Sequence, residues 1–392
     1  MLYGTILDYL MRGPSASTKI CYNNAKAMKL NKIKQLWANI RHWIYRHRKV
    51  VLIIVGITII LTSGITTVIL LSKPAKTVVI TKKVEKTKPK PVPIVVKYYS
   101  PLTGNLVADE NTTKQAVTGI MIENSPNARP QSGLKDSGVV FEAIAEGGIT
   151  RFLVLYQQEK PQLIGPVRSL RLYDVEWLAA FNSSIGHVGG SSGALTEVRN
   201  GSYRDLDQFF NPNYFWRSTD RYAPHNVYTS FEKLDALNVA KGYTSSTFTG
   251  FSRIDGKTGA VTDATVIDIT ISSFLYNSTY NYNPATNNYS RSQAGEAHND
   301  RESGQITPSV IIAMRVDEST VFEDGYRENI TTIGSGAATI FQNGTATAVT
   351  WHKPSKLDQI SFTDATGADI PLVRGQTWIV AVPNSYGDVV WK

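Results

Sequence analysis

An uncharged run of 22 residues near the amino terminus, residues 50–71, constrains this chain more than any other feature. It reads VVLIIVGITIILTSGITTVILL, with Thr and Ser as its only polar side chains. A helix of that length, at ~1.5 Å per residue, extends roughly 33 Å, enough to cross the ~30 Å apolar core of a bilayer. A secretory signal has a shorter apolar region and a cleavage site, and a buried core helix normally keeps one polar face. The run therefore predicts a single transmembrane helix.

Basic residues flank the predicted helix on both sides. Residues 1–49 hold ten Lys and Arg against one acid, and the block Arg46-His47-Arg48-Lys49 abuts the helix. Residues 72–97 hold eight Lys, one acid and several prolines, a composition typical of an extended stalk. The short amino-terminal segment has the tightest basic cluster, and long carboxyl-terminal domains are exported largely regardless of charge. We therefore predict a single-pass plasma-membrane protein with a cytoplasmic tail (1–49), a stalk (72–97) and an extracytoplasmic domain.

The net charge of +9 belongs to the tail and the stalk. Residues 98–392 hold 23 Lys and Arg against 30 Asp and Glu, so the predicted globular part is acidic. Bulk charge therefore does not support nucleic-acid binding, and we predict no nucleic-acid partner. The single cysteine, Cys21, lies in the predicted cytoplasmic tail, which leaves the exterior without disulfides or thiolate metal ligands. A cysteine-free exterior of this size indicates a bacterial cell surface.

The hydrophobic periodicity of residues 98–392 predicts an α+β fold in two lobes. In residues 98–241, an α/β-type lobe, strand-like runs at 117–122, 139–145, 152–157 and 184–188 alternate with helical patterns at 172–181, 194–199 and 231–240. Residues 242–392 contain short β-branched and aromatic runs separated by Asn, Gly, Asp and Pro, which predicts a mostly antiparallel β lobe. Turn-forming residues predict hairpins at 282–289 and 342–345, the second through Asn343-Gly344.

Several distinct segments follow one another between residues 101 and 383. They read PLTG, MIEN and ARPQSGL, EGGITR, IGPVRSLR, AHNDRESGQ, GSGAATIFQNG, VTWHK and LVRGQTWIVAVP. Together they resemble the YerB family of bacterial envelope proteins, which are usually anchored as lipoproteins. The resemblance implies a two-lobed extracytoplasmic domain without an established activity. One departure is visible, because the family's lipid-modified cysteine is absent and the predicted transmembrane helix takes its place as the anchor.

Charged residues gather between positions 123 and 171, where predicted strands end. A Gly147-Gly148 turn would bring Glu146 and Arg151 to the same end of the sheet. Arg168 and Arg171 would share one face if the chain were helical there. Because the planar fork of arginine binds phosphate or carboxylate through paired hydrogen bonds, we predict an anion-binding site. Its residues are Arg129, Arg151, Arg168, Arg171, Glu123 and Glu146. The alternative is a set of ion pairs in which the glutamates neutralise the arginines and hold the lobe together.

An enzyme would need a general acid and a general base within reach of each other. Glu123 and Glu146 are candidates for such a pair, as in glycosidases. His187 is a weaker catalytic candidate beside a Gly/Ser-rich turn, which lacks P-loop and nucleophile-elbow spacing and is more simply a close-packed turn. His298 and Asp300 lie close in sequence, but no third ligand is spaced to complete a metal site. We therefore predict no metal and no cofactor.

These features predict a membrane-anchored binding or scaffold protein of the bacterial cell envelope that engages an anionic wall component. The expected partners are the membrane and a cell-wall polymer or an envelope protein. One alternative is a cell-wall hydrolase or transferase that uses paired carboxylates, and another is an adaptor for a membrane protein. The aromatic run at 209–216, beside Arg217 and Arg221, fits either sugar stacking or core packing. His225 has no partner that the sequence reveals.

Overall fold

The computed structural model describes residues 96–259, 261–320 and 328–392. The predicted cytoplasmic tail, the transmembrane helix at 50–71 and nearly all of the stalk lie outside these residues, so these three features stay predictions. Among the described residues, no helix has both the length and the apolar character that a bilayer crossing requires.

The first lobe alternates strands and helices. Its strands are β1 (Tyr98–Tyr99), β2 (Leu106–Val107), β3 (Thr118–Glu123), β4 (Val139–Glu146), β5 (Ile149–Tyr156), β6 (Ser184–His187), β7 (Arg204–Asp207), β8 (Trp216–Arg217) and β9 (Val227–Tyr228). Its helices are α1 (Glu110–Thr113), α2 (Leu172–Leu178), α3 (Ser192–Asn200) and α4 (Phe231–Ala240), with short 3-10 helices at Pro126–Ala128, Ala179–Phe181 and Pro212–Tyr214. The four strands and three helices predicted from periodicity are confirmed, with ends that differ by at most three residues.

The second lobe consists almost wholly of strands. They are β10 (Arg253–Ile254), β11 (Val266–Thr270), β12 (Ser278–Asn283), β13 (Asn288–Gln293), β14 (Glu296–Ala297), β15 (Asn299–Asp300), β16 (Gly304–Gln305), β17 (Val310–Val316), β18 (Glu318–Thr320), β19 (Glu328–Ile330), β20 (Gly334–Gln342), β21 (Thr345–Lys353), β22 (Ser361–Thr363), β23 (Leu372–Val373), β24 (Thr377–Pro383) and β25 (Asp388–Trp391). β12 is preceded by a short 3-10 turn, Phe274–Tyr276, and the chain becomes extended from Ser278.

Strands of both lobes join in one ten-stranded sheet, in the order β22-β21-β20-β17-β24-β4-β5-β3-β6-β7. The join is formed by β24 and β4, which run parallel and pair Thr377 with Val139 and Val380 with Glu142. β17, β24 and β4 run in one direction, and so do β3, β6 and β7, since β3 and β4 are both antiparallel to β5. The carboxyl ends of these six strands therefore lie at the same edge of the sheet.

Apolar side chains cover both faces of the ten-stranded sheet. On one face, Phe141 packs with Trp177 of α2, their ring centroids 5.1 Å apart. On the other face, Val154 packs in a core that includes Phe231 of α4 and Ile267 of β11. The central strand β24 is buried at every position, as expected for a strand that is covered on both sides.

The two predicted hairpins are confirmed. β12 and β13 pair from Ser278 to Asn283 within a five-stranded antiparallel sheet, in the order β14-β13-β12-β11-β25. In the hairpin of β20 and β21, Gln342 pairs with Thr345. Asn343 and Gly344 have φ angles of +58° and +76°, the left-handed values that a type I′ turn requires. The Asn343-Gly344 turn in the sequence therefore accounts for the register of β20 and β21.

Candidate functional site

Most of the predicted ligand-binding residues lie at the carboxyl-end edge of the ten-stranded sheet. β3 ends at Glu123 and β4 ends at Glu146, and Arg151 of β5 is the register partner of Glu123. In open α/β sheets, ligands commonly bind beyond the carboxyl ends of the strands. We name the cluster of Glu123, Glu146, Arg151, Arg168 and Arg171 the arginine–glutamate edge.

Glu146 binds two arginines. Its Oε1 atom accepts a hydrogen bond from Arg151 Nη2 at 2.8 Å, and its Oε2 atom accepts one from Arg171 Nε at 3.1 Å and another from Arg171 Nη2. The predicted Gly147-Gly148 turn is present between Glu146 and the start of β5. Burial favours the neutral carboxyl group, but the two guanidinium groups outweigh this effect and lower the pKa of Glu146. Glu146 is therefore an ionised counter-charge.

Asp174 supplies a further carboxyl group beside Arg171. Its Oδ2 atom accepts the backbone N–H of Arg171 at 2.9 Å, and burial raises the pKa of Asp174 to about 7. Since α2 begins only at Leu172, the chain is not helical from Arg168 to Arg171, and the condition under which these two arginines would share one helical face is not met. Arg168 lies in a segment whose backbone N–H binds the carbonyl of Met121, alongside β3. The two arginines consequently pair with different glutamates.

Glu123 contacts two side chains, Arg168 and His225, whose outer nitrogen atoms have no hydrogen-bond partner among the described residues. Its side chain is 4% exposed, and its Oε1 atom lies 2.9 Å from His225 Nδ1 and 3.0 Å from the hydroxyl of Ser125. Its Oε2 atom lies 3.2 Å from Arg168 Nε, at an angle that gives a charge contact without a hydrogen bond. Within the described residues, the terminal nitrogens of Arg168 and the Nε2 atom of His225 have no hydrogen-bond partner. The two side chains are 23% and 21% exposed, respectively.

His225 belongs to a loop that other side chains hold in place. Arg221 donates hydrogen bonds to three backbone carbonyls within residues 127–130. The Asn226 side chain donates to two carbonyls of its own loop and accepts from Arg217 at 2.7 Å. The imidazole is thus positioned at the arginine–glutamate edge by contacts outside that edge.

Arg129 does not join the arginine–glutamate edge. Its guanidinium group donates to the backbone oxygens of Asn124 and Leu275, each at 2.8 Å, and lies over the ring of Tyr276. Since Leu275 and Tyr276 belong to the second lobe, this arginine connects the two lobes. These contacts hold the fold together, as in the alternative to ligand binding, and leave Arg129 out of the candidate ligand site.

His187 contacts neither of the two glutamates named as catalytic candidates. It is fully buried, with Nε2 2.9 Å from Asp205 Oδ1 and Nδ1 2.7 Å from the carbonyl of Gly189. Ser191 caps α3 by accepting the backbone N–H of Ala194. Both ring nitrogens of His187 are occupied, so the segment is a close-packed turn. Within the described residues, no group of three or more His, Cys, Asp or Glu side chains is arranged to hold a metal ion.

Six buried side chains form a closed hydrogen-bonded ring next to the arginine–glutamate edge. In order around the ring they are Glu142, Thr150, Asn124, Gln131, His298 and Arg291. Gln131 also donates to the backbone carbonyl of Glu123, which connects the ring to the edge. His298 and Arg291 come from the second lobe and the other four from the first. The ring therefore links the lobes directly behind the candidate site.

Sequence reasoning found neither this ring nor the partner of His225. Asn124, Gln131, Thr150 and His298 lie within the segments MIEN, ARPQSGL, EGGITR and AHNDRESGQ. Their position within those segments was therefore the available sequence signal that these residues matter. Contacts between side chains as far apart in sequence as Gln131 and His298, 167 residues, have no local signature.

The aromatic run at 209–216 divides between surface and core. Phe209 and Phe210 are 65% and 68% exposed, whereas Phe215 is buried. A cavity of about 680 Å³ lies at the amino ends of β6 and β7, between Tyr203 and Leu357, and none of the predicted site residues lines it. The arginine–glutamate edge therefore lies apart from this cavity.

Known proteins similar to this chain share its two-lobed organisation. Residues 102–244 match the family described as Protein of unknown function (DUF3048) N-terminal domain, and residues 267–379 match the DUF3048 C-terminal domain. The chain is 32% identical over 294 residues to the Bacillus subtilis (strain 168) protein named "Putative lipoprotein YerB". The aligned region covers 74% of this chain and 87% of that protein. The crystal structure of B. subtilis YerB superposes with a TM-score of 0.67 at 30% identity, over 75% of this chain and 100% of that chain. This chain therefore belongs to the YerB family and carries its DUF3048 N-terminal and C-terminal domains in order.

Proposed function

We propose that this protein is an extracytoplasmic binding protein of the bacterial envelope, tethered by residues 50–71, that holds an anionic group of an envelope component at Arg168. The name of its B. subtilis relative is that of a lipoprotein. A lipid anchor and an amino-terminal transmembrane helix would leave the two lobes on the same side of the membrane. The different anchors of the relative and of this chain are therefore compatible with one location.

The free outer edge of Arg168 is the observation that supports this proposal most directly. Its terminal nitrogens have no hydrogen-bond partner within the described residues, whereas its Nε atom faces the buried carboxylate of Glu123. A guanidinium group fixed in this way presents two parallel N–H donors to the surface. That geometry suits the paired oxygens of a phosphate or a carboxylate.

The charges at the arginine–glutamate edge favour a ligand with a single negative charge. Three arginines face two glutamates, so the edge carries one unbalanced positive charge; it lies at Arg151 and Arg171, which share Glu146, whereas Glu123 faces Arg168. The carboxyl group of Asp174, with a pKa of about 7, cancels that charge when it ionises. A phosphodiester of a wall polymer and a carboxylate of a peptide stem each carry one negative charge. Both classes are candidate ligands.

The geometry gives little support to a mechanism with paired carboxylates. A general acid must hold a proton near neutral pH, but two arginines lower the pKa of Glu146. Glu146 is also fully engaged in hydrogen bonds to those arginines. The adaptor alternative stays a prediction.

Titration of the full-length protein in nanodiscs with phosphate-bearing wall fragments tests the proposal. Arg168→Ala should weaken binding about tenfold or more, because hydrogen bonds to charged groups contribute roughly 1.5–3 kcal/mol. Arg168→Lys keeps the charge without the paired donors and should give an intermediate affinity. Arg374→Ala is the control. Arg374 is exposed to a similar degree, 24%, and pairs with Asp255, but it precedes the amino end of β24 and so lies away from the arginine–glutamate edge. Unchanged affinity in Arg168→Ala, or an equal loss in the control, contradicts the proposal.

A further inference from the structure

We propose that the arginine–glutamate edge also cleaves the group that it binds. In this inference His225, oriented by Glu123, is the general base for hydrolysis of a phosphodiester held by Arg168. The inference rests on the anion-binding function proposed above and adds a reaction to it. The reactive pair differs from the one expected from sequence, because the partner of Glu123 is a histidine and not Glu146.

Glu123 determines which nitrogen of His225 is available. The Oε1 atom of Glu123 lies 2.9 Å from His225 Nδ1, and an ionised carboxylate only accepts hydrogen bonds. In the neutral imidazole, Nδ1 therefore carries the proton and Nε2 keeps its lone pair. Nε2 has no hydrogen-bond partner within the part of the chain that the structure describes. A histidine with this tautomer, backed by a carboxylate, is arranged to remove a proton from a water molecule.

The contact between His225 and Glu123 is not the only one that holds the loop. Arg221 donates to three carbonyls outside the loop, and Asn226 holds it internally. Glu123 is a buried carboxylate whose Oε2 atom makes a charge contact with Arg168 Nε but no hydrogen bond among the described residues. A buried carboxylate oxygen without a hydrogen bond is unfavourable for folding, so its presence calls for another explanation. A role in holding Arg168 and orienting His225 at a bound anion supplies one.

The shared position of Arg168 and His225 on Glu123 selects the substrate class. Both side chains contact the same carboxylate, one at each oxygen, and we place the group that Arg168 binds between its terminal nitrogens and His225 Nε2. A carboxylate in that position is a poor electrophile, and water would not attack it. The phosphorus atom of a phosphodiester is an electrophile, and the diester carries the single negative charge that the edge favours. A phosphodiester is therefore the ligand class that fits both side chains.

The proposed step conserves atoms and charge. The oxygen of a water molecule attacks phosphorus while His225 Nε2 takes one of its protons. The bond between phosphorus and one ester oxygen breaks, and that oxygen takes a proton from solvent and leaves as an alcohol. The other product is a phosphomonoester, and the imidazolium returns its proton to solvent. Arg168 stabilises charge on the non-bridging oxygens, and Glu123 stabilises the imidazolium.

The test uses the full-length protein in nanodiscs and poly(glycerol phosphate), a phosphodiester polymer, as the probe. Binding is measured by calorimetry, and new phosphomonoester ends are measured by ³¹P NMR on the same samples. His225→Ala should bind the polymer within about threefold of the parent protein but cleave it ~100-fold more slowly, the usual loss when a general base is removed. Added imidazole should restore part of the rate of this variant, because it supplies the missing base.

Two further variants separate catalysis from structure. Glu123→Gln keeps an oxygen that accepts from Nδ1 but lacks the charge that stabilises the imidazolium. This positioning change should slow cleavage, and imidazole should not restore it. His352→Ala is the matched control, since His352 is a partly buried histidine of β21 that binds Thr363. It should change neither binding nor cleavage.

The outcomes distinguish the inference from the function on which it rests. Binding without any monoester ends in the parent protein overturns the cleavage and leaves the binding function standing. Cleavage by His225→Ala at the parental rate also overturns it. Absence of binding by the parent protein overturns both the proposed function and this inference for phosphodiesters.

Discussion

Glu142 of the first lobe and Arg291 of the second form a fully buried ion pair, with 2.9 Å between Glu142 Oε2 and Arg291 Nη2. Trp378 donates a hydrogen bond to the same carboxylate oxygen, and Arg291 Nε donates to the hydroxyl of Tyr280. Transfer of two charges out of water is unfavourable unless each finds a nearly complete set of partners. The ring and these two aromatic side chains provide that set. The pair therefore connects β13 to β4 of the ten-stranded sheet.

Removal of one member of this pair should destabilise the protein strongly. Glu142→Gln leaves the charge of Arg291 buried without a counter-charge, which should lower the free energy of unfolding by roughly 3–5 kcal/mol. Glu110→Gln is the control, because it breaks an exposed pair with Lys114 that water screens, and it should change the free energy of unfolding far less. Urea unfolding followed by tryptophan fluorescence compares the two. Similar decreases in the free energy of unfolding would show that burial adds little to the stabilisation by the pair of Glu142 and Arg291.

His298 should make the folded protein sensitive to mild acid. Burial, followed by the charge of Arg291, lowers the pKa of His298 well below its ordinary value of 6.5. Below pH 6.5 the unfolded chain binds a proton that the folded chain does not, so this contribution to stability is complete above pH 6.5. It is lost as the pH falls toward the folded-state pKa, with a slope of up to about 1.4 kcal/mol per pH unit.

His298→Gln keeps one acceptor and one donor for the ring but cannot titrate. The free energy of unfolding of this variant should change less steeply with pH below 6.5 than that of the parent protein. Urea midpoints measured at several pH values check this. An unchanged slope would assign the acid sensitivity to other groups.

Alanine substitutions at two glycines should distinguish the cost of backbone strain from the cost of steric crowding. Gly344 has a φ angle of +76°, and a Cβ atom there would lie 2.6 Å from the ring of Tyr282. Gly367 has a φ angle of +83°, with no atom within 4 Å of an added Cβ. Gly367→Ala should cost about 1 kcal/mol through strain alone, and Gly344→Ala should cost ~1–3 kcal/mol more through the clash. Thermal unfolding ranks the two variants, and equal losses would mean that Tyr282 moves aside without cost.

Glu146→Gln should make the stability of the protein depend on added anions. The substitution leaves Arg151 and Arg171 without their shared counter-charge. We expect a loss of about 2 kcal/mol, less than for a fully buried pair, because the Glu146 side chain is 19% exposed and water screens it. Inorganic phosphate should restore part of the melting temperature of the variant and change that of the parent protein less. The same response in both proteins would contradict this account of the two arginines.

The elements predicted correctly from sequence are those that depend on neighbouring residues. Asn343-Gly344 specified its hairpin because few other residues adopt two consecutive positive φ angles. The pairing of β24 with β4 was not predictable in this way. Both strands are mostly apolar and buried on both faces, and they lie far apart in the sequence, so their hydrophobic pattern selects no particular partner. That pairing depends on the complete fold.

The candidate site shows the same division. Glu146 and Arg151 were placed together correctly, since a two-glycine turn brings the residues on either side of it together. The three-residue spacing of Arg168 and Arg171 was misleading, because spacing has that meaning only within a helix and α2 starts later. The partnership of His225 with Glu123 spans 102 residues and depends on a loop whose position only the folded protein shows.

The place of β24 bears on how the nascent chain acquires its fold. This strand, Thr377–Pro383, occupies the middle of the ten-stranded sheet, yet it lies far downstream of the strand β4 with which it pairs. Every strand of the first lobe is synthesised earlier, so β4 keeps one row of its backbone amides and carbonyls unpaired until β24 has emerged. A chain that stops before β24 would keep that row open and would be prone to pair with other copies of itself.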